Sequence, residues 1–444
     1  MEHVVIIGNG IAGITAARHI RKRSDNRITI ISSETEFFFA RTALMYVYMG
    51  HMRFEDIMPY EKDFWSKNRL DLIQDHVQTV NFEDKKLILA QGSPVFYDKL
   101  ILATGSKYNK FGWKGQDLGG VQGLYSKKDL DLMEQNTRGI KNAVIVGGGL
   151  IGVEVAEMLA SRNIQSTFLI REKTFWGNAL PKEDGDFVTA HLTRHGGIKL
   201  LFEEELEEVI GNEEMRVKAV KTKSGDIIDC EFLALTAGVH PNVDFLRESK
   251  LEIEKGILVS ADLSTNIENV YAIGDCAQIK EPLENRMSIE PVWYTARMMG
   301  EAVAQTICGK NTEYKPGHWF NSAKFFDLEY QTYGRVWNEL KDDEDEVVWK
   351  NTEDERLLHF VFHKKSHVLH GVNSFGIRLR HEIFDHWLSE KKTIEETLEN
   401  LKTANFDPEF FKTYEKEIIK SFNEKFSANI RLKKKVWWRK VLRA

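Results

Sequence analysis

The sequence predicts an α/β chain with two three-layer domains, each wound on a parallel sheet. An α+β domain with added helices follows them. Three observations predict this. The apolar, uncharged run Val4-Val5-Ile6-Ile7 meets a glycine turn and then a helix-forming stretch. The same arrangement returns at Ala143-Val144-Ile145-Val146. Beyond residue 319 the pattern changes to aromatic-rich alternation and amphipathic helices. A run that is apolar on both faces marks a strand buried inside a parallel sheet.

The first turn reads Gly8-Asn9-Gly10-Ile11-Ala12-Gly13, a G-x-G-x-x-G. Gly8 lets the chain turn tightly, Gly10 lets backbone approach a pyrophosphate, and Gly13 packs the helix on the sheet. The helix beginning near Ile14 offers unpaired N–H groups and a partial positive charge. The strand Ile28-Thr29-Ile30-Ile31 leads to Glu34, about 20 residues past the last glycine, where an acid suits a ribose hydroxyl. A lone glycine motif is a weak signal. Strand, helix and acid agree here, so the stretch reads as a dinucleotide site.

At 444 residues the chain is long enough for two or three domains, and its net charge of −6 gives no general attraction to nucleic acid. No uncharged run approaches the roughly 20 apolar residues a spanning helix needs. The first strand begins two residues in, which leaves no room for a signal peptide, so a cytoplasmic location is expected. Cys230, Cys276 and Cys308 fit neither C-x-x-C nor a zinc spacing, and no metal site is expected.

In chain order, Phe37 to Tyr46 is an aromatic-rich segment leading into a helix, and residues 51–76 read as helical in part. Strands are expected at Val77–Asn81 and Lys86–Ala90 about an Asp84-Lys85 turn. Another runs from Lys99 and closes on Ala103-Thr104-Gly105-Ser106. Then Gly147-Gly148-Gly149-Leu150-Ile151-Gly152 repeats the opening motif before a helix from Val153 to Ser161. Two such units are far more specific than one. Residues 198–236 read as alternating short strands with a hairpin turn at Lys223-Ser224-Gly225-Asp226. Ala237-Gly238-Val239-His240-Pro241-Asn242 follows. Ala272-Ile273-Gly274-Asp275 then ends a strand with a carboxylate placed to accept hydrogen bonds from a ligand.

In this order the two glycine units, Ala103-Thr104-Gly105, Ala237-Gly238-x-x-Pro241-Asn242 and Ala272-Ile273-Gly274-Asp275 resemble the two-dinucleotide flavoproteins of glutathione-reductase-like fold. Within them the chain is similar to the branch of NADH:rubredoxin and ferredoxin reductases, apoptosis-inducing factor, NADH oxidases and coenzyme A disulfide reductases. The likeness covers roughly residues 3–335. It implies an FAD-binding domain at residues 1–112 and 255–318, an NAD(P)H-binding domain at 113–254, and a C-terminal domain at 319–429. By resemblance Gly8, Gly10, Ile11, Ala12 and Gly13 take the FAD pyrophosphate, Glu34 its ribose, and Gly274 with Asp275 its ribityl chain. Ala103, Thr104 and Gly105 line the same cofactor. Gly147, Gly149, Leu150, Ile151, Gly152 and Gly238 hold NAD(P)H, and Glu154 lies near the nicotinamide and flavin rings. Arg41 and Glu154 are the residues expected to tune the flavin.

The departures from the family carry as much. Thr42 stands where coenzyme A disulfide reductases carry a redox cysteine, and Tyr46 where ferredoxin reductases carry a lysine, while Arg41 is kept. No redox-active disulfide is therefore expected. After the strand Ser166–Ile170, the acid that selects NADH is replaced by Ile170. Arg171 could take a 2′-phosphate and Glu172 a 2′-hydroxyl, which leans the coenzyme toward NADPH.

In the C-terminal domain, residues 323–338 and 346–373 read as antiparallel strands about an acidic run. Six acids within residues 339–346 are expected at a solvated hairpin tip. Thr393-x-x-Glu396 is a capping box. Asp407-Pro408 opens a last helix with the stripe Phe411, Tyr414, Ile418, Phe422 and Phe426. Arg378, Arg380 and His381 are candidates for an acceptor face. Residues 431–444 carry seven Lys/Arg, no acid, and Trp437-Trp438. This tail reads as a basic amphipathic helix for an anionic membrane surface or an acidic partner. The leading expectation is an FAD-dependent NAD(P)H oxidoreductase that passes electrons to a small iron–sulfur protein such as a ferredoxin or rubredoxin. A peripheral membrane NAD(P)H:quinone reductase and a redox-controlled partner-binding flavoprotein are the alternatives.

Overall fold

The computed structural model describes residues 1–433, so the basic tail, apart from its first three residues, lies outside the described residues. The chain forms two compact units. One is Met1–Arg171 with Gly197–Pro316, and the other is Glu172–Gly196 with the chain from Gly317 onward. No described helix is long and apolar enough to cross a membrane.

In the first unit the two apolar runs become the centres of two parallel sheets. His3–Ile7 pairs with Arg27–Ser32 on one side and Lys99–Leu102 on the other, and Leu70–Gln74 and Val270–Ala272 close the edges. Asn142–Val146 holds the same place between Gln165–Ile170 and Phe232–Leu235, with Ile198–Phe202 and Val121–Gln122 outermost. Val4, Val5, Ile6, Val144 and Ile145 are fully buried, as a strand covered on both faces requires. The stretch 51–76 is helical only at Phe54–Ile57 and Phe64–Lys67, then supplies the edge strand Leu70–Gln74. Strands Val77–Asn81 and Lys86–Leu89 form as expected. Helix Ile11–Arg21 packs along Trp293–Ile307 at very close range. A Cβ added at Gly300 would lie 2.6 Å from the Ala12 carbonyl oxygen.

The second unit is a five-stranded antiparallel sheet in the order Phe320–Phe325, Leu328–Gly334, Leu369–Phe375, Arg356–His363, Glu344–Asn351. Alternation sorts the strand residues by face. Leu358, Phe360 and Phe362 share a core with Phe384, Trp387, Leu398, Ile418 and Phe422 of helices His381–Ser389, Ile394–Asn400 and Glu415–Phe426. The intervening residue His359 meets Asp184 of helix Lys182–Arg194 on the other face. That helix has no counterpart among the sequence expectations.

Two expectations fail here. The acidic run is solvated only at Glu339, Asp342 and Asp343, and it is no hairpin tip, because the strand already begins at Glu344 and does not pair with Leu328–Gly334. Glu344 is buried and bonded to His370, and Glu346 accepts from His359. His359 on the adjacent strand and His370 one strand further supply the partners that let these acids enter the sheet. Asp407-Pro408 does not open the last helix either. Asp407 sits at φ +43° and Phe410 N–H closes a turn on its carbonyl, so the helix starts only after Tyr414. Phe411 is consequently exposed, while Tyr414, Ile418 and Phe422 keep the buried stripe.

His359 is fully buried between Asp184 (2.8 Å) and Glu346 (2.9 Å), and Asn373 donates to the other Asp184 oxygen at 2.7 Å. Burial alone would lower its pKa. The two carboxylates outweigh burial and hold the ring at about 9. The unfolded chain's histidine titrates near 6.5. The stabilisation is therefore complete below about pH 6.5 and is lost as pH rises through about 9. Thermal melts should show a falling midpoint between those values. His359→Leu should abolish that slope and cost about 3–5 kcal/mol by leaving Asp184 buried without its cation.

Candidate functional site

Both glycine motifs sit at the carboxyl end of a central parallel strand, where open α/β sheets bind ligands. Gly8 (φ +113°) lies so close to the neighbouring strand end that a Cβ would fall 2.1 Å from the Ala103 carbonyl oxygen. Gly147 (φ +111°) meets the Thr236 carbonyl oxygen in the same way, at 2.8 Å. Gly13 and Gly152 bring their helices onto those turns, with an added Cβ 2.1 and 2.5 Å from the Gly8 and Gly147 carbonyl oxygens. Gly10 differs, since a Cβ there would meet nothing within 4 Å.

The open space at Gly10 faces a helix end that the protein does not cap. Gly10 and Gly149 are the N-caps of Ile11–Arg21 and Leu150–Ala160. Neither makes a side-chain cap bond, and neither first turn contains an acid. Each end leaves backbone donors and a partial positive charge available to an anion. The pyrophosphate of a dinucleotide is an anion of the kind such an end accepts.

Glu34, Arg41, Ala103, Thr104, Gly105, Gly274 and Asp275 gather around the first motif. Thr104 Oγ1 donates to the Asn242 carbonyl (2.8 Å), and Asn242 Nδ2 donates back to the Thr104 carbonyl (3.2 Å). Gly105 (φ +69°) leaves room for the Tyr125 hydroxyl. Asp275 follows Gly274 (φ +72°), and its carboxylate accepts from Ser106 Oγ (3.2 Å) and Tyr125 OH (3.3 Å). Burial pushes the Asp275 carboxyl up, and those two donors with Arg41 oppose it. Ser106 and Tyr125 were not nominated from sequence, and a lone serine and tyrosine give no motif to find them by.

Glu34 and Arg41 form one clamp. Arg41 donates to both Glu34 oxygens (3.1 and 2.6 Å) and to the Tyr125 carbonyl, and its guanidinium lies over the Tyr125 and Phe39 rings. Lys127 N–H adds a bond to Glu34 at 2.6 Å. Three acceptor positions of the carboxylate are thus used, and one remains open to a further donor.

Glu154 lies in the first turns of the second motif's helix, half-buried. Burial, with Glu157 nearby, raises its carboxyl to about 7. Gly238 (φ +84°) sits beside Asn109, whose amide donates to the Ala237 carbonyl. Ile170 packs under Gly148, within 3.0 Å of where a Cβ would be, and Arg171 is exposed just past the strand end. Thr42 is exposed, and Cys230 and Cys276 are buried thiols whose pKa values burial raises.

Two uncapped glycine turns on twin parallel sheets define a protein that holds two dinucleotides in one compact unit. The chain belongs to the pyridine nucleotide-disulphide oxidoreductase family, whose profile matches residues 2–300. It is an FAD- and NAD(P)H-dependent oxidoreductase. NADH-rubredoxin oxidoreductase of Clostridium acetobutylicum is 28% identical over 312 residues, covering 70% of this chain and 76% of that protein. Nitrite reductase [NAD(P)H] of Bacillus subtilis is 28% identical over 315 residues. That match covers 70% of this chain but 38% of the nitrite reductase, so the chain spans little more than a third of that relative. Among solved structures, an NAD-dependent persulfide reductase from A. fulgidus shares the fold with a TM-score of 0.83 at 21% identity, covering 95% of this chain and 83% of that one.

Gly13→Ala should separate binding from folding. The added methyl meets backbone rather than a yielding side chain, so the helix must move off the first motif. The flavin-to-protein ratio after gel filtration should fall, with FAD bound at least about tenfold more weakly, while far-UV circular dichroism stays near wild type.

Proposed function

We propose that this protein carries electrons from NAD(P)H through FAD to a small iron–sulfur protein of the rubredoxin or ferredoxin type. The reading divides the work between an FAD domain of residues 1–112 and 255–318 and an NAD(P)H domain of 113–254. The single observation that carries it is the duplicated cradle, Gly8 on the Ala103 carbonyl and Gly147 on the Thr236 carbonyl. The chain's free cysteines, two buried, offer no dithiol to relay electrons to a disulfide substrate, which favours an electron-carrier acceptor. The likeness to an NADH-rubredoxin oxidoreductase supports the same choice.

When bound, FAD supplies the exchange between hydride and single-electron chemistry. The chain's own residues orient and insulate. Gly8, Gly10 and Gly13 admit the pyrophosphate, the Arg41–Glu34 clamp holds the ribose acceptor in place, and Asp275 is fixed by Ser106 and Tyr125. Glu154 in its ionised form would set a negative charge beside a bound nicotinamide ring and so favour hydride donation from it.

Two measurements test this. In stopped flow, NAD(P)H should bleach the flavin band, and rubredoxin or ferredoxin should restore it faster than a soluble quinone does. Faster return with the quinone, or no bleaching, would overturn the reading. The second concerns Glu154, whose ionised form should favour hydride donation. Flavin reduction should accelerate as pH rises through about 7, and Glu154→Gln should give a flat profile about tenfold lower at pH 8.

A further inference from the structure

The second unit contains a cluster that the dinucleotide chemistry does not use. His191 lies near the end of helix Lys182–Arg194, His195 caps that end, and Asp327 belongs to the tight turn between strands Phe320–Phe325 and Leu328–Gly334. His191 Nε2 stands 3.3 Å from His195 Nε2 and 3.1 Å from Asp327 Oδ1, and His195 Nε2 stands 3.2 Å from the same Oδ1. The Phe325 carbonyl oxygen lies 3.1 Å from His191 Nε2. Two ring nitrogens and a carboxylate oxygen therefore stand within 3.3 Å of one another, with the Phe325 carbonyl beside the His191 nitrogen.

Hydrogen bonding alone satisfies this cluster poorly. His191 Nε2 can carry one hydrogen, yet it faces two oxygens and a nitrogen. If it donates to Phe325 and His195 donates to Asp327, two N–H groups confront each other across 3.3 Å. The neutral His191 would then also turn a bare Nδ1 toward Glu355 Oε1, 3.3 Å away. A cation in the centre removes each conflict. Both Nε2 lone pairs and the Asp327 oxygen face the ion, and His191 Nδ1–H donates to Glu355, which Arg194 holds. A carboxylate behind a ligating histidine is the usual outer partner of a metal site.

The donor set, two imidazole nitrogens and one carboxylate oxygen, selects the class of ion. Zinc binds nitrogen and carboxylate oxygen at about 2.0–2.2 Å, and a tetrahedron of that radius has edges of about 3.3–3.6 Å. The three edges here measure 3.1, 3.2 and 3.3 Å, so the cluster stands at or just inside the short end of that range. Magnesium and calcium prefer all-oxygen shells of six or more ligands. We propose that His191, His195 and Asp327 form a zinc-type divalent transition-metal site that fastens helix Lys182–Arg194 to the hairpin turn at Phe326-Asp327, with the Phe325 carbonyl or water as fourth ligand. Access suits loading from solution, because Asp327 is 77% exposed while His191 is only 5% exposed. The expectation of no metal rested on the cysteines. Histidines four apart near a helix end were the signal it lacked.

The test uses the untagged, FAD-loaded full chain after dialysis against chelator. One equivalent of Co²⁺ should give the bands of a tetrahedral ion to the red of the flavin absorption, and Zn²⁺ should displace them. Zn²⁺ at about a hundredfold over its Kd should favour the folded state about a hundredfold and raise the melting midpoint, whereas Mg²⁺ should not. Asp327→Asn and His195→Gln alter ligands that are not deeply buried, and each should weaken zinc at least about tenfold. Absence of the cobalt bands together with a zinc-independent midpoint would overturn the site. So would zinc affinity unchanged from wild type in both variants, or a midpoint rise with Mg²⁺ equal to that with Zn²⁺.

Discussion

The first unit depends on a close approach of backbone to backbone. Where the chain leaves His3–Ile7, Gly8 passes so near the Ala103 carbonyl that no side chain fits. That contact lets helix Ile11–Arg21 begin at the sheet's edge with its first amides uncovered. It also fixes the Ala103-Thr104-Gly105 strand end, which Thr104 and Asn242 then lock by exchanging hydrogen bonds. The same constraint acts at Gly147 against Thr236, so one solution to chain packing has been used twice to present a positive helix end.

Polar groups are buried differently in the two units. Around the first motif, hydrogen bonds spread each charge over several donors. Glu34 takes Arg41 and Lys127, and Asp275 takes Ser106 and Tyr125. In the second unit an imidazolium sits between two carboxylates with almost no water contact. The first arrangement keeps carboxylates available to a ligand's hydroxyls. The second spends its electrostatic attraction on holding helix Lys182–Arg194 against the sheet face that carries His359.

Much of the first unit was legible because its signals are local. An apolar strand, three glycines and a helix lie within twenty residues, and each repeat reads without knowing its neighbours. The clamp between Glu34 and Arg41 was not legible, although both residues were nominated, because Tyr125 and Lys127 complete it from over eighty residues away. The second unit misled for a related reason. Glu344 and Glu346 look solvated until His370 and His359 arrive from other strands of the sheet, and a sequence window cannot show a cross-strand partner. Asp407-Pro408 carries good helix-start chemistry, but the left-handed φ of Asp407 and the bond from Asn405 to Glu415 place the start later. Helix Lys182–Arg194 mixes buried Asp184 and His191 into its inner face, so its apolar period is broken where its polar contacts are made.

Cys276 follows the Asp275 carboxylate directly. Its thiol donates to the Leu102 and Ile273 carbonyls from a fully buried position, and burial raises its pKa. Oxidants attack thiolates far more readily than thiols, so this sulfur stays below the first rung of the oxidation ladder. A redox protein exposed to stray peroxide would otherwise carry an oxidisable sulfur beside the buried Asp275 carboxylate. By keeping the proton on sulfur, the fold makes the loop at Gly274-Asp275 chemically durable without giving up the small, polarizable side chain that fills the space behind it.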